Sequence, residues 1–195
     1  MSSSWHKYRN LNSNTRAILL NKEKTTYNNS SARVVYPISI FMKLGHSSNN
    51  KYDGVETIKI YKQFCRDNGT VWFSTDSLSR GMAVKRRNEF IDAIKRNEVV
   101  EIYFAIGRNS GGSNEIEYKA KVLDIYTDAE GINSPEKQLT PLEWRENKNK
   151  IWIKISSLNI CNYRKTKDFI VSSSNKILSD SIAKSQYNFG YIERI

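Results

Sequence analysis

Apolar residues along this chain alternate between the spacing of strands and the spacing of helices. Residues 34–42 form a nearly continuous apolar run, which predicts a first strand that Pro37 interrupts or begins. After a polar loop, Asp53 and Glu56 have the spacing of a helix capping box. The apolar positions that follow recur at helical spacing until the stop signal Asn68-Gly69, and they are Val55, Ile58, Tyr61, Phe64 and Cys65. The sequence therefore predicts a strand followed by a helix.

The rest of the chain continues this succession. Residues 83–97 predict a basic amphipathic helix whose buried face comprises Val84, Phe90, Ile91 and Ile94. Short apolar or alternating runs predict strands at residues 71–74, 99–106, 116–124, 151–155, 168–171 and 187–192, with a helical turn at 179–183. Residues 108–114 predict a hairpin loop. Residues 128–149 predict a long mixed loop, and loops of this length tend to be functional or mobile.

This order of elements predicts one α+β domain over residues 32–195. Consecutive, mostly antiparallel strands with strong curvature favour a small, open β-barrel flanked by two or three helices. Residues 1–31 differ, because they are rich in Ser, Asn, Lys and Arg and contain only Ile18-Leu19-Leu20 as an apolar cluster. They predict a basic N-terminal arm, either flexible or packed through one short helix.

The charge of the chain points to a polyanionic partner. Its 195 residues carry a formal net charge of +11. Such an excess of positive charge favours nucleic acid or an anionic membrane surface as the binding partner. Because no apolar run approaches the roughly 18 residues of a spanning helix, we expect no membrane placement and take nucleic acid as the partner.

Cysteine and histidine usage predicts neither a disulfide framework nor a metal site. Cys65 and Cys161 are far apart in sequence, which predicts two reduced, buried thiols in a cytoplasmic or nuclear protein. His6 and His46 lack the spacing of metal ligands or of a catalytic triad, so we expect both at the surface. No metal ion and no cofactor is expected.

Motifs for enzyme chemistry are weak. Gly111-Gly112 lacks the Lys-Ser/Thr and the strand–loop–helix context of a phosphate-binding loop. Glu115, Glu117 and Lys119 loosely resemble the E-x-K of many nucleases, but alternating charges on the wet face of a strand explain the run better. We therefore expect a binding protein rather than an enzyme, with a nuclease as the less favoured alternative.

Two tryptophans stand beside turn residues. Trp72 lies in Gly69-Thr70-Val71-Trp72-Phe73-Ser74-Thr75, and Trp144 lies in Thr140-Pro141-Leu142-Glu143-Trp144. Tryptophan is usually buried in cores, but aromatic residues beside loops of a positive protein favour base stacking. Trp152 alternates with apolar neighbours, so it is predicted to be structural.

The order of these motifs over about residues 33–195 resembles the YTH domain, and more broadly the EVE and PUA-like group of modified-base readers. The Trp72 segment is similar to the Gly-Val-Trp-Ser-Thr motif, residues 100–106 resemble the strand that follows, and Ser110-Gly111 sits in the matching hairpin. The Trp144 segment resembles the Ser-Pro-x-x-Trp loop, and residues 150–154 occupy the place of the last tryptophan-bearing strand. One departure is that Phe73 separates Trp72 from Ser74, so either aromatic residue can be the cage residue.

The resemblance implies a single-stranded RNA or DNA ligand with a flipped modified base, most simply N6-methyladenine, held between Trp72 and Trp144. Ser74 or Thr75, with nearby backbone groups, is the implied reader of the base edge, and Leu142 or Tyr103 is the implied lining of the methyl site. The phosphate-binding candidates are Lys43, Lys51, Lys85, Arg86, Arg87, Lys176 and Lys184. The alternative is a general nucleic-acid-binding or acidic-protein-binding module without base selectivity.

Overall fold

A computed structural model describes residues 33–47, 51–184 and 187–195. Residues Val34–Ile195 form one compact unit. The predicted basic arm, residues 1–31, lies outside the described residues.

Seven strands and three α-helices follow one another within the described residues. They are β1 Ile38–Leu44, α1 Gly54–Asn68, β2 Thr70–Thr75, α2 Val84–Lys95, β3 Glu101–Ile106, β4 Ile116–Ile132, β5 Asn149–Ile160, β6 Phe169–Val171, α3 Leu178–Lys184 and β7 Phe189–Arg194. Short 3-10 turns at Arg108–Ser110, Lys137–Leu139 and Thr166–Asp168 complete the connections. The α+β class predicted from the sequence is confirmed.

All seven strands belong to one sheet with the order β2-β5-β4-β3-β1-β7-β6. β1 pairs parallel with β3, and the other neighbouring strands pair antiparallel. A parallel pair needs a long crossover, and the segment from α1 through α2 supplies it. Among the described residues no pairing joins the edge strands β2 and β6, so the sheet is open.

Two apolar clusters lie on opposite faces of the sheet, because successive side chains of a strand point to opposite sides. Ile40 and Ile102 belong to the first cluster, together with residues from α1 and α2. Phe41 and Tyr103, their neighbours in β1 and β3, belong to the second cluster with Leu178 of α3. α1 and α2 therefore cover one face, and α3 covers the other.

Local sequence accounts for both ends of α1. The Asp53 carboxylate accepts a hydrogen bond from the Glu56 amide at 2.8 Å, and the Glu56 carboxylate accepts one from the Asp53 amide at 3.1 Å. This is the predicted capping box. A side chain at Gly54 would place its Cβ 2.9 Å from Ile106 Cγ2, so glycine allows the helix to begin against the sheet. Gly69 follows the helix with φ of 78°, a backbone conformation that glycine adopts without strain.

Two sequence expectations about these elements are corrected. β4 continues to Ile132 and β5 begins at Asn149, so the connection predicted over 128–149 is confined to residues 133–148. The β4–β5 pairing shifts register at three places, which breaks the strict alternation that marks a strand in sequence. Val84 is 68% exposed at the first turn of α2, whereas Phe90 is buried as predicted and Ala93 is buried with it.

The predictions for Cys65, Cys161 and Trp152 are confirmed. Both thiols are free and buried. Trp152 is fully buried, and its indole N–H donates to the Ile132 carbonyl at 2.9 Å. None of the helices formed by the described residues has the length and apolar character of a transmembrane span.

Candidate functional site

A cavity of about 370 Å³ lies where the ends of β1 and β2 meet the loop that carries Trp144. Its lining residues are Met42, Lys43, Leu44, Gly45, His46, Ser47, Thr57, Tyr61, Phe73, Ser74, Thr75, Asp76, Ser77, Trp144, Asn147, Asn149 and Asn188. We call this the aromatic pocket. Its volume lies at the lower end of the range of pockets that bind small ligands.

Three aromatic rings form one wall of the aromatic pocket. The rings of Trp144 and Tyr61 are stacked, with centroids 4.5 Å apart and planes 13° from parallel. Phe73 packs edge-on against Tyr61, with ring centroids 5.1 Å apart. Tyr52 contacts Trp144 at 5.8 Å in a tilted arrangement. Tyr61 and Phe73 are nearly inaccessible, whereas Trp144 is half-buried and thus the ring that a ligand reaches first.

Local sequence holds Trp144 in place. The chain turns after Pro141, so that the Trp144 amide donates to the Pro141 carbonyl at 3.1 Å. The guanidinium of Arg145 donates to the Thr140 carbonyl at 3.2 and 3.1 Å. Thr140 is itself fully buried, and its hydroxyl donates to the Glu136 carbonyl at 3.0 Å. These bonds place the indole against α1 although it lies in a loop.

Polar groups at the end of β2 and the start of β5 also line the pocket. The side-chain amide of Asn149 donates to the Ser74 hydroxyl at 3.0 Å. The hydroxyls of Thr75 and Ser77 are 2.8 Å apart. The Asp76 carboxylate accepts from the Lys150 amide at 2.7 Å, which joins the end of β2 to β5. The pocket thus combines ring surfaces with fixed donors and acceptors, as ligand sites commonly do.

The hydroxyl of Tyr61 has no hydrogen-bond partner among the described residues. Burial raises the pKa of Tyr61 well above the ordinary value of tyrosine, so the group is a neutral donor. The side chain and backbone of Ser74 lie close enough to lower that pKa, but Ser74 and the Tyr61 hydroxyl do not meet the geometry of a hydrogen bond. A buried polar group without a partner costs about 1–3 kcal/mol, so a ligand acceptor at this point would recover that cost.

One cation stands at the rim of the pocket. Lys43 is half-buried and forms no ion pair with a described residue. Burial lowers its pKa below the ordinary value of lysine. Lys51 lies nearby, with its ammonium 5.1 Å from the ring centre of Tyr52. Among the predicted phosphate-binding residues whose side chains are described, Lys43 lines the pocket and Lys51 lies over Tyr52, which contacts Trp144.

Trp72 is not in the pocket, and the expectation that it forms a wall is wrong. It is 1% exposed, and its ring meets Tyr126 edge-on at 5.6 Å. Lys154, its partner across the β2–β5 pair, places an ammonium 5.6 Å from the indole. Since neighbouring residues of a strand face opposite sides, Phe73 points into the pocket and Trp72 does not. Phe73 is the alternative that the sequence left open.

The prediction that Tyr103 or Leu142 lines the binding pocket is also wrong. Tyr103 lies in the second apolar cluster, and its hydroxyl donates to Glu101 at 2.6 Å. Leu142 is 75% exposed and does not line the pocket. Ser74 and Thr75 do line it, at the end of β2 where the sequence placed them.

The predicted phosphate-binding residues of α2 have other contacts. Arg86 pairs with Glu89 at 2.7 Å and lies 5.0 Å from the ring centre of Tyr191. Arg87 donates to the Ile125 carbonyl at 2.9 Å. Lys85 is exposed, but like Arg86 and Arg87 it does not line the pocket.

Of the two C-terminal candidates, Lys176 does not line the pocket either. Lys176 is exposed in the connection before α3. Lys184 is the last residue of α3, and its side chain lies outside the described part of the chain.

Sequence reasoning missed Tyr61 and Asn149. Helical spacing identified Tyr61 as a core residue, which it is, but the spacing says nothing of where the hydroxyl points. Asn149 stands in what the sequence indicated as loop, and it is the first residue of β5. A buried tyrosine facing polar residues is visible only once the helix is docked on the sheet.

The nuclease alternative gains no support from the placement of its carboxylates. Glu115 accepts hydrogen bonds from the amide and hydroxyl of Thr166, both at 3.0 Å, which ties the hairpin to the chain before β6. Within the described ranges, no group of three or more His, Cys, Asp or Glu residues is arranged to hold a metal ion. His46 is exposed, as predicted, and its Nδ1 lies 3.3 Å from the Ser110 hydroxyl. His6 lies outside the described residues.

Comparison with known proteins returns no relatives: no family model, curated protein or solved structure matches this chain.

Proposed function

We propose that the protein binds a modified base of single-stranded nucleic acid in the aromatic pocket. The observation that carries the proposal is the buried, unpartnered hydroxyl of Tyr61 beside the half-buried ring of Trp144. A planar base that contacts Trp144 brings its polar edge toward Tyr61, Ser74 and Asn149. The formal net charge of +11 and Lys43 at the rim suit the phosphate next to such a base.

Stacking supplies the part of the affinity that does not depend on modification. Contact of one base with an aromatic side chain contributes roughly 1–3 kcal/mol. Extruding a base costs a few kcal/mol from a duplex and less from a single strand. Single-stranded RNA or DNA is therefore the preferred ligand in this proposal.

Selectivity for a modified base needs more than the area of one methyl group. Burying a methyl group contributes about 0.8 kcal/mol, a factor of only a few in affinity. Larger discrimination arises when the pocket's polar groups are satisfied by one edge of the base and not by another. The Tyr61 hydroxyl is a hydrogen-bond donor without a partner, and the hydrogen-bonded side chains of Ser74 and Asn149 hold polar atoms in fixed positions beside it. N6-methyladenine, with ring-nitrogen acceptors and an added methyl group, is the modification we propose first.

The same proposal places the fold with the PUA-like domains, as an open barrel of the YTH or EVE type. The order of motifs supports it, as does the position of Phe73-Ser74-Thr75 at the end of β2 beside Trp144. Trp72 does not occupy the cage position, so the pocket differs from the one implied by the tryptophan motif.

The test is a titration of the full chain with matched short oligonucleotides, RNA and DNA, carrying adenine or N6-methyladenine at one position. Tighter binding of a modified strand, abolished in Trp144→Ala, is the expected result. Equal binding of plain and modified strands by the unaltered protein contradicts base reading. It would leave a general nucleic-acid-binding module.

A further inference from the structure

A second concavity, separate from the aromatic pocket, lies between α1 and the end of β5. Its volume is about 510 Å³. The residues that line it are Lys59, Lys62, Gln63, Cys65, Arg66, Gly69, Ser157, Leu158 and Asn159. We call it the α1 groove. It shares no lining residue with the aromatic pocket.

Three cations follow one side of α1 along this groove. Lys59, Lys62 and Arg66 are separated by three and four residues, the spacing that places side chains next to one another on a helix. Seven residues of helix advance about 10 Å. One strand of a duplex presents a phosphate about every 3.4 Å of its axis, so the row spans about three phosphates.

The groove has no carboxylate in its lining. Lys62 is half-buried, and its ammonium lies 5.6 Å from the ring centre of Tyr118, which restricts its position. Arg66 approaches Asp67 at 3.7 Å, but both side chains are largely exposed. A pair of this kind contributes little and leaves the charge of Arg66 effective toward a ligand. Lys59 is exposed and forms no ion pair with a described residue.

The other lining groups suit a polar chain rather than an apolar one. Gln63, Ser157 and Asn159 contribute polar atoms at the walls. Protein partners are anchored by aromatic or aliphatic residues in apolar pockets, and this groove offers Leu158 and Cys65 only at its base, both nearly inaccessible. Charge and polarity together fit a phosphodiester backbone better than a peptide.

We propose that the α1 groove is a second nucleic-acid contact, which binds the phosphate backbone without regard to base or modification. Phosphate contacts of this kind position a strand and carry no sequence information. The groove would thus increase affinity for any strand long enough to reach it. This inference is independent of base reading in the aromatic pocket.

The test compares two triple variants of the full chain in which the same charge is removed from the same residue types. The groove variant is K59Q/K62Q/R66Q. The control is R80Q/K95Q/K167Q, at exposed positions outside the groove. Binding of an unmodified single strand and an unmodified duplex is measured by fluorescence anisotropy at several salt concentrations.

The groove variant should reduce the slope of log affinity against log salt by about 2 for the single strand, because each neutralised phosphate contributes about 0.7 to that slope. The control should change that slope much less. Equal slopes in the two variants overturn the proposal. A poly-glutamate peptide is titrated in parallel, and the proposal is also overturned if the unaltered protein binds that peptide and the groove variant loses the peptide but keeps both oligonucleotides.

Circular dichroism checks that both variants fold. Because Lys62 packs on Tyr118, the double variant K59Q/R66Q keeps the test valid if the triple does not fold, and it should reduce the slope by about 1.4. Absence of the slope difference refutes the α1 groove. Absence of a methyl preference in the unaltered protein refutes the aromatic pocket. The two proposals can therefore fail separately.

Discussion

Trp144, in the loop before β5, stacks on Tyr61, in the middle of α1, with ring centroids 4.5 Å apart. The two residues are far apart in sequence, and one is a loop residue while the other belongs to the core. The stack positions an indole at the mouth of a cavity whose interior holds the unpartnered Tyr61 hydroxyl. An aromatic surface and a buried donor are thus fixed together before any ligand arrives.

Replacing Trp144 by alanine should remove base stacking and leave charge-driven binding. We expect affinity for a modified strand to fall about 5- to 150-fold, as the removal of roughly 1–3 kcal/mol of stacking implies. The plain strand should retain weak, salt-dependent binding. Trp144→Phe is the matched control, since it keeps an aromatic ring and should weaken binding far less. Anisotropy titrations measure both variants, and equal effects in the two would contradict stacking at this position.

Replacing Tyr61 by phenylalanine should weaken binding without weakening the fold. The hydroxyl has no partner in the free protein, so its removal should leave the free energy of unfolding unchanged or raise it by up to about 1 kcal/mol. Affinity for the modified strand should fall about threefold to tenfold, the contribution of one neutral hydrogen bond. Urea denaturation and strand titration measure the two quantities.

Tyr103→Phe provides the contrast for Tyr61→Phe, because the same atom is removed from the other face of the sheet. The Tyr103 hydroxyl donates to Glu101 at 2.6 Å and accepts from Arg194 at 2.9 Å. This variant should unfold more easily by about 1–2 kcal/mol and bind the strand normally. A destabilised Tyr61→Phe would show that its hydroxyl has a partner in the free protein.

Glu101 should make the fold sensitive to acid. Burial opposes its ionisation, but hydrogen bonds from Tyr103 and Lys119 and the charge of Arg194 outweigh burial, so the pKa of Glu101 lies below its ordinary value of 4.5. A carboxyl with a depressed folded-state pKa stabilises the protein above the unfolded-state value. That contribution disappears as pH falls through the folded-state pKa.

Glu101→Gln should therefore lower the free energy of unfolding at pH 7 by about 1–3 kcal/mol, and the deficit should shrink below about pH 4.5. Urea denaturation at pH 7, 4 and 3 measures it. Glu146→Gln is the control, because Glu146 is exposed in its pair with Lys137 and should matter little at any of these pH values. A deficit that stays constant with pH would mean that ionisation of Glu101 does not stabilise the fold.

Deleting residues 1–31 should preserve the fold and the base preference while reducing affinity. The deleted segment carries Lys7, Arg9, Arg16, Lys22 and Lys24, and the compact unit begins at Val34. Each phosphate that the arm neutralises should add about 0.7 to the slope of log affinity against log salt for a single strand. The shortened chain should therefore show a smaller slope. Circular dichroism and salt-dependent titration measure the two effects. Unfolding of the shortened chain would show that Ile18-Leu19-Leu20 packs into the domain.

Local sequence determined most of the elements. The capping box at Asp53 and the stop at Gly69 bound α1 as predicted, because both signals act through hydrogen bonds and backbone angles of neighbouring residues. The polyanion partner inferred from the charge stays a prediction. The α+β class followed from the order of the two periodicities.

Tertiary structure alone decided which aromatic residue faces the pocket. Strand alternation predicts that Trp72 and Phe73 point to opposite faces of the sheet. Because both residues are large and apolar, the sequence does not determine which of them faces α1. Docking of α1 placed Tyr61 against Phe73, and Trp72 was buried on the other side. The extent of β4 was likewise decided by its pairing with β5, since the register shifts hide a strand's alternation.

The interactions that define the polar sites join residues far apart in the chain. Arg194 reaches Glu101 and Tyr103, and Asn149 reaches Ser74, only because the sheet brings β7 near β3 and β5 beside β2. Composition and hydrophobic periodicity reflect interactions between residues that lie within about one helical turn, or within a few strand residues, of one another. They determine which elements form, whereas the packing of those elements decides which side chains share a cavity and which hydroxyl is left without a partner.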